Sequence, residues 1–145
     1  MIIDIDELGK FNIETIRYES DKEGYNMINR LIADYHSGRN KFNKKGEKLI
    51  GFLLDNEIIA VCGLNIESTN DKLGRIRKLY VLKNYQHRGI GTELVKYLVN
   101  HAKPYFEGVV VNIGNLPVDN FYKSIGFEPI VDNESYTYIY GLKDT

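Results

Sequence analysis

Apolar side chains recur at helical spacing in two stretches of this chain. Elsewhere they alternate or run unbroken over four to eight residues. Met27, Ile28, Leu31, Ile32 and Tyr35 form a helical stripe within ESDKEGYNMINRLIADYHSG. Ser20 and Glu23 have the spacing of a capping box ahead of it, and Gly38 is placed to stop it. The basic stretch RNKFNKKGE then reads as a loop. KLIGFLLDNEIIAVCGLNIE is two apolar runs around Asp55-Asn56-Glu57, which predicts a β-hairpin, and GRIRKLYVL is a third strand. A second stripe, Leu94, Val95, Leu98, Val99 and Ala102, predicts a helix ended by Pro104. GVVVNI has the unbroken apolar pattern of a strand covered on both faces. A short helix is expected from about Pro117 to Ser124, with Pro117 at its first position and Gly126 as its cap. YTYIYGL alternates and closes the sheet. Among the first eighteen residues, either MIIDI or IETIRY is the first strand.

Arg75 to Val111 therefore runs strand, glycine loop, helix, strand, for which a right-handed βαβ crossover is the usual solution. It places YQHRGIGTEL, residues 85–94, at the strand's C-terminal edge and the helix mouth. Unpaired N–H groups of a first helical turn point outward there, and the dipole adds about half a positive charge. Gly89 and Gly91 carry no Cβ to hold a ligand away, so the loop is either an anion seat, with Arg88 adding charge, or a plain turn. Leu94 occupies the third position of a G-x-G-x-x-G pattern and no G-K-[ST] follows, which weighs against dinucleotide and nucleoside triphosphate loops.

The 145 residues suit one domain, 1–145, with its own core. With 19 basic and 20 acidic residues, bulk charge does not point to nucleic acid. No apolar run is long enough for a bilayer and the N-terminus lacks a signal-peptide pattern, so a soluble cytoplasmic protein is expected. Cys62 is the single cysteine and sits in an apolar run as a small buried hydrophobe. His36, His87 and His101 have no metal-ligand spacing, and no metal site is expected.

Gln86-His87-Arg88-Gly89-Ile90-Gly91 resembles the Q/R-x-x-G-x-G/A signature of the GNAT superfamily of N-acetyltransferases. Leu79-Tyr80-Val81 upstream resembles the family's strand ending, and Asn115 to Phe127, NLPVDNFYKSIGF, resembles N-x-x-A-x-x-F-Y-x-x-x-G-F with Val118 where Ala is usual. The likeness covers about residues 73 to 130 and implies an α/β (α+β) fold. Its centre would be a mixed, largely antiparallel sheet of about six or seven strands with helices on both faces. It further implies acetyl-CoA as cosubstrate, with the signature from Gln86 through Thr92 at the pyrophosphate. The backbone around Leu79, Tyr80 and Val81 would lie along the pantetheine arm, in a splay between this strand and GVVVNI. Asn115 would be a further cofactor contact, or else a helix-entry residue. Tyr122 stands where the family's thiolate-protonating tyrosine lies. A phenol is protonated at neutral pH and suits that task, but a packing role for Tyr122 stays open.

The implied activity is acetyl transfer from acetyl-CoA to a primary amine of a small molecule, peptide or protein, directly within a ternary complex. The alternative is a non-catalytic acyl-CoA-binding or regulatory module of the same fold. No nucleic-acid or membrane partner is implied, and a homodimer is compatible. GRIRKLYVL carries no carboxylate where many relatives place a general base, leaving Glu47, Glu57, Glu67 or a water path. Arg75 and Arg77 face one side of their strand. They either pair with acidic residues at the surface or bind an acidic group on the acceptor. Tyr136, Tyr138 and Tyr140 share a face and line a pocket or pack on a helix.

Overall fold

The computed structural model describes residues 1–114 and 116–142. Seven strands form one sheet: β1 (Ile2–Asp4), β2 (Lys48–Leu54), β3 (Glu57–Ile66), β4 (Leu73–Val81), β5 (Gly108–Val111), β6 (Glu128–Pro129) and β7 (Tyr138–Gly141). Four α-helices, α1 (Glu14–Lys22), α2 (Met27–Ser37), α3 (Ile90–Ala102) and α4 (Asp119–Ile125), cover its faces. The strand order is β1-β2-β3-β4-β5-β7-β6. The β4–β5 pair is parallel and every other described pairing is antiparallel. This is the mixed, largely antiparallel α/β sheet that the family resemblance implies.

The β2–β3 hairpin turns on Asp55 and Asn56, whose φ values are 51° and 64°. Two left-handed residues make the primed turn whose twist matches the flanking strands, and Asp and Asn tolerate that region well. β3 is buried on both faces. Ala60, Cys62 and Leu64 meet Leu94, Val95 and Leu98 of α3, while Ile59 and Val61 belong to a second core with Ile16 of α1 and Ile28 and Leu31 of α2. β3 thus serves as the shared wall of two apolar layers. The predicted stripe of α3 is buried in full, from Leu94 to Ala102.

One open alternative is decided and two boundary expectations are corrected. IETIRY is not a strand: it enters α1, and MIIDI supplies β1. The stripe from Met27 to Tyr35 is α2, but the capping box expected ahead of it at Ser20 and Glu23 falls at the end of a separate helix, α1, parted from α2 where Gly24 adopts φ 83°. Ser20 therefore caps nothing. It lies inside α1, where its hydroxyl donates to the Arg17 carbonyl at 3.1 Å. Pro117 precedes α4 instead of starting it, since Val118 is the N-cap residue. Gly38 does end α2, at φ 81°.

β4 and β5 pair only at Leu73–Gly108, Gly74–Val109 and Arg75–Val110. Beyond Arg75 the two strands separate. On its other side β4 stays paired to β3 as far as Val81, with a shift of register between Val61 and Gly63 opposite Lys78, whose φ is 62°. The separation leaves the β5-facing edge of β4, from Ile76 to Val81, without a ladder partner among the described residues.

Candidate active site

The unpartnered edge of β4 forms the floor of a cleft with two connected chambers. The first, about 440 Å³, is lined by Leu79, Val81, the loop residues from Tyr85 to Thr92 except Arg88, and Pro117, Val118 and Phe121. The second, about 230 Å³, is lined by β4 residues Arg75 to Leu79, by Val111 to Ile113 beyond them, and by Met27, Leu116, Val118 and Tyr122. Leu79 and Val118 line both chambers and mark their junction.

The loop between β4 and α3 is set by a short run of backbone bonds. The Leu82 amide donates to the Ile59 carbonyl at 2.9 Å, the Tyr85 amide to Leu82 at 2.9 Å and the Gln86 amide to Lys83 at 3.2 Å. The Gln86 side chain folds back and donates from Nε2 to the Val81 carbonyl at 2.9 Å. Glu19 of α1 fastens the same corner from behind. Its Oε2 accepts from the Tyr80 hydroxyl at 2.7 Å and the Lys83 amide at 3.0 Å. Tyr80 thus turns its ring away from the cleft, into the α1–α2 core, and offers only its backbone to a ligand. Burial and the Glu19 carboxylate push its phenol pKa up.

His87 and Gly89 adopt φ values of 63° and 84° before α3 begins at Ile90. The first amide of α3 with a helical partner is Glu93, which donates to the Gly89 carbonyl at 3.0 Å. The amides of residues 87–92 have no acceptor among the described residues, and those of Ile90, Gly91 and Thr92 belong to the open first turn of α3. No atom lies within 4 Å of a Cβ built on Gly89. At Gly91 the nearest atoms to such a Cβ belong to Phe121, at 3.4 Å, and Val81, at 3.7 Å, both cleft residues. Gly89 is required by its left-handed backbone, and both glycines line the first chamber, where the absence of side chains lets a ligand approach the main chain. Free amides, a helix N-terminus and open space fit a diphosphate group without a cage of cations. Arg88 does not line the chamber. Its guanidinium stacks over the Tyr85 ring at 5.5 Å.

Tyr122 lies in the first turns of α4, with Phe121 and Phe127 rings at 4.9 and 5.4 Å. Only 5% of it is exposed, yet it lines the second chamber. Its hydroxyl has no hydrogen-bond partner among the described residues and is not sealed from the cavity, in contrast to the one sealed, unpartnered atom, His101 Nε2. Burial pushes the phenol pKa up, so the group carries its proton throughout the neutral range. Asn115, expected at the cofactor, lies outside the described residues.

The candidate bases are spent on structure. Glu67 is 1% exposed and accepts from Arg75 Nη1 at 2.8 Å, Ser135 Oγ at 2.6 Å and Thr69 Oγ1. Burial works against its charge, but these donors outweigh it and hold the pKa down at about 2. A carboxylate that weak in basicity does not abstract a proton at neutral pH. Glu47 accepts from Asn65 Nδ2, the Ile66 amide and the Lys44 amide, which pins the basic loop to β3. Glu57 sits in the hairpin and lines neither chamber. Arg75 accordingly takes the paired role, with a second bond to Ser135 Oγ at 3.2 Å. Arg77 is exposed at the chamber. Cys62 is buried and its thiol pKa is pushed up by that burial. Tyr138 bonds Asp119 Oδ2 at 3.0 Å and Tyr140 packs on Phe127 at 5.5 Å, so neither lines the cleft, and Tyr136 precedes β7.

The family model of the GNAT acetyltransferases matches residues 12–127. The chain belongs to that family. Among solved structures, an inferred acetyltransferase from Exiguobacterium sp. 255-15 is 25% identical with a TM-score of 0.87, over 97% of this chain and 92% of that one. A GNAT-family acetyltransferase from Staphylococcus aureus Mu50 shares the fold at 15% identity, with a TM-score of 0.75 over 99% of both chains. An inferred streptothricin acetyltransferase from Bacillus anthracis Ames, solved with acetyl coenzyme A, is 26% identical with a TM-score of 0.52, over 59% of this chain and 50% of that one. A search of curated proteins returned no match. GNAT enzymes take their acetyl group from acetyl-CoA, and the residues lining this GNAT cleft have the chemistry that cosubstrate requires. No helix among the described residues is long and apolar enough to cross a membrane.

Proposed function

We propose that residues 1–145 form one N-acetyltransferase domain that moves the acetyl group of acetyl-CoA to a primary amine within a ternary complex. The observation that carries this is the continuity of the cleft. Free amides stand at one end, an unpartnered strand edge runs along the middle, and a protonated phenol stands at the other end. On this reading the amides of residues 87–92 hold the pyrophosphate, each bond to a charged acceptor being worth about 1.5–3 kcal/mol. The backbone of Leu79, Tyr80 and Val81 aligns the pantetheine arm as an added strand. Acetyl-CoA held in this way would supply the activated thioester.

Tyr122 Oη would give its proton to the departing sulfur as negative charge collects there, so that CoA leaves as the free thiol, and solvent then reprotonates the phenolate. Its raised pKa keeps the phenol protonated at neutral pH until that charge develops, and the same shift makes it a weaker acid, so the transfer is driven by the charge on the sulfur. The amine gives up its own proton to water at the open side of the second chamber, because Glu47, Glu57 and Glu67 are not available to take it. Direct transfer is favoured because no cysteine lines either chamber and Cys62 is inert. The test is thiol release from acetyl-CoA across a panel of amines, with the acetylated product identified by mass. Release matched one to one by an acetylated amine supports the proposal. Tight binding with no release for any amine would make the chain an acyl-CoA-binding module.

A further inference from the structure

The second chamber, where an acceptor would enter, is lined by cations and by no carboxylate among the described residues. Arg75, Arg77 and Lys78 all reach it. Arg75 is neutralised by Glu67. Arg77 has no ion pair or hydrogen bond among the described residues and is exposed to the chamber. Lys78 is half-buried next to it on a left-handed backbone. Its ammonium pKa is lowered, first by burial and then by the Arg77 charge, with Asp34 and Arg30 of α2 acting on it in opposite senses. Neither Asp34 nor any other described acid forms an ion pair with Arg77 or Lys78.

Two adjacent cations with no acidic partner among the described residues give the mouth of this small chamber a positive potential that favours an anionic group. We propose that this chamber selects a small acceptor that carries an anionic oxygen group, a carboxylate or a phosphate, beside its primary amine, with Arg77 and Lys78 holding that group. The proposal rests on the amine-acetylation reading above and names the acceptor's class. The planar guanidinium of Arg77 matches a carboxylate or phosphate through two parallel bonds, and Lys78 adds a point charge. The same pair repels polyamines.

The test compares matched acceptors that differ by one anionic group: γ-aminobutyrate against butylamine, and phosphoethanolamine against ethanolamine, with spermidine as the polycation. Each is measured for kcat/KM and, separately, by calorimetric titration into the protein saturated with CoA. Wild type is expected to favour at least one anionic member by roughly 10- to 150-fold, the worth of a hydrogen bond to a charged group. The pair that shows the larger preference tells carboxylate from phosphate. Arg77→Gln is expected to erase most of the preference while leaving the butylamine or ethanolamine rate and the acetyl-CoA affinity unchanged, and Lys78→Gln to erase a smaller part. Equal treatment of both members of each pair, a preference for spermidine, or an equal loss on both members in Arg77→Gln would overturn the proposal. If no amine is acetylated at all, amine acetylation fails. The titrations then decide this inference by themselves: selective binding of the anionic members that Arg77→Gln removes upholds it, and its absence overturns it.

Discussion

Removing the Tyr122 hydroxyl separates chemistry from packing with little ambiguity. The hydroxyl makes no bond to any described residue, so Tyr122→Phe leaves no protein donor or acceptor unpaired, and the edge-on contacts with Phe121 and Phe127 use the ring alone. The stability change should stay under about 1 kcal/mol, because nothing in the core is deleted and no buried partner is orphaned. A positioned proton donor contributes about 10²- to 10⁴-fold to rate. At 1.36 kcal/mol per decade, that is about 3–5 kcal/mol of barrier. The kcat for amine acetylation should therefore fall by that factor, with the acetyl-CoA dissociation constant and the melting temperature almost unchanged. Because burial raises the phenol pKa, Tyr122 loses no proton between pH 6 and 9, and wild type should show no alkaline fall in kcat from this group across that range. The assay is steady-state acetylation beside single-turnover measurement of the chemical step. An unchanged single-turnover rate in Tyr122→Phe would refute the acid role and leave Tyr122 as packing.

Gly91→Glu should abolish acetyl-CoA binding by calorimetry while the fold persists by circular dichroism, since the new side chain enters the cleft and its charge opposes the phosphates. Wild-type affinity in the folded variant would remove the diphosphate from this loop. Glu67 gives a pH dependence of stability: its pKa falls from an ordinary 4.5 to about 2 on folding, so its contribution is complete above pH 4.5 and disappears as pH drops toward 2. The size is about 3 kcal/mol at 1.36 kcal/mol per unit. Chemical denaturation of wild type and Glu67→Gln should show the gap between them narrowing over that window, and a constant gap would contradict the assignment.

Features set by neighbours in sequence were legible in it. The α3 stripe and the glycine loop that opens α3 lie within one short stretch, and Asp55-Asn56 needs only its own backbone preference to make the hairpin. The α1–α2 break was hidden because Ser20 and Glu23 imitate a cap, while the break itself depends on the φ of Gly24. β6 is two residues long and carries no period to detect. The fate of Glu67 was out of reach for a different reason. Its partners Arg75 and Ser135 are 8 and 68 residues away, and only the packed sheet brings them to one carboxylate. The same distance effect split the two arginines, which share a strand face but differ in whether an acid reaches them. The family resemblance places the Tyr80 backbone, not its ring, along the cofactor, and the ring's contact with Glu19 on the other face joins residues 61 apart in sequence, which no local pattern announces.

The most direct measurement is an initial-rate study with acetyl-CoA and an acidic primary amine varied together, with product and protein masses followed in the same samples. Direct transfer within one cleft predicts intersecting rate lines, acetylated amine equal to thiol released, and no acetyl group on the protein after exposure to acetyl-CoA alone. Parallel lines with a stoichiometric acetyl adduct on the protein, or thiol release without any acetylated amine, would contradict it.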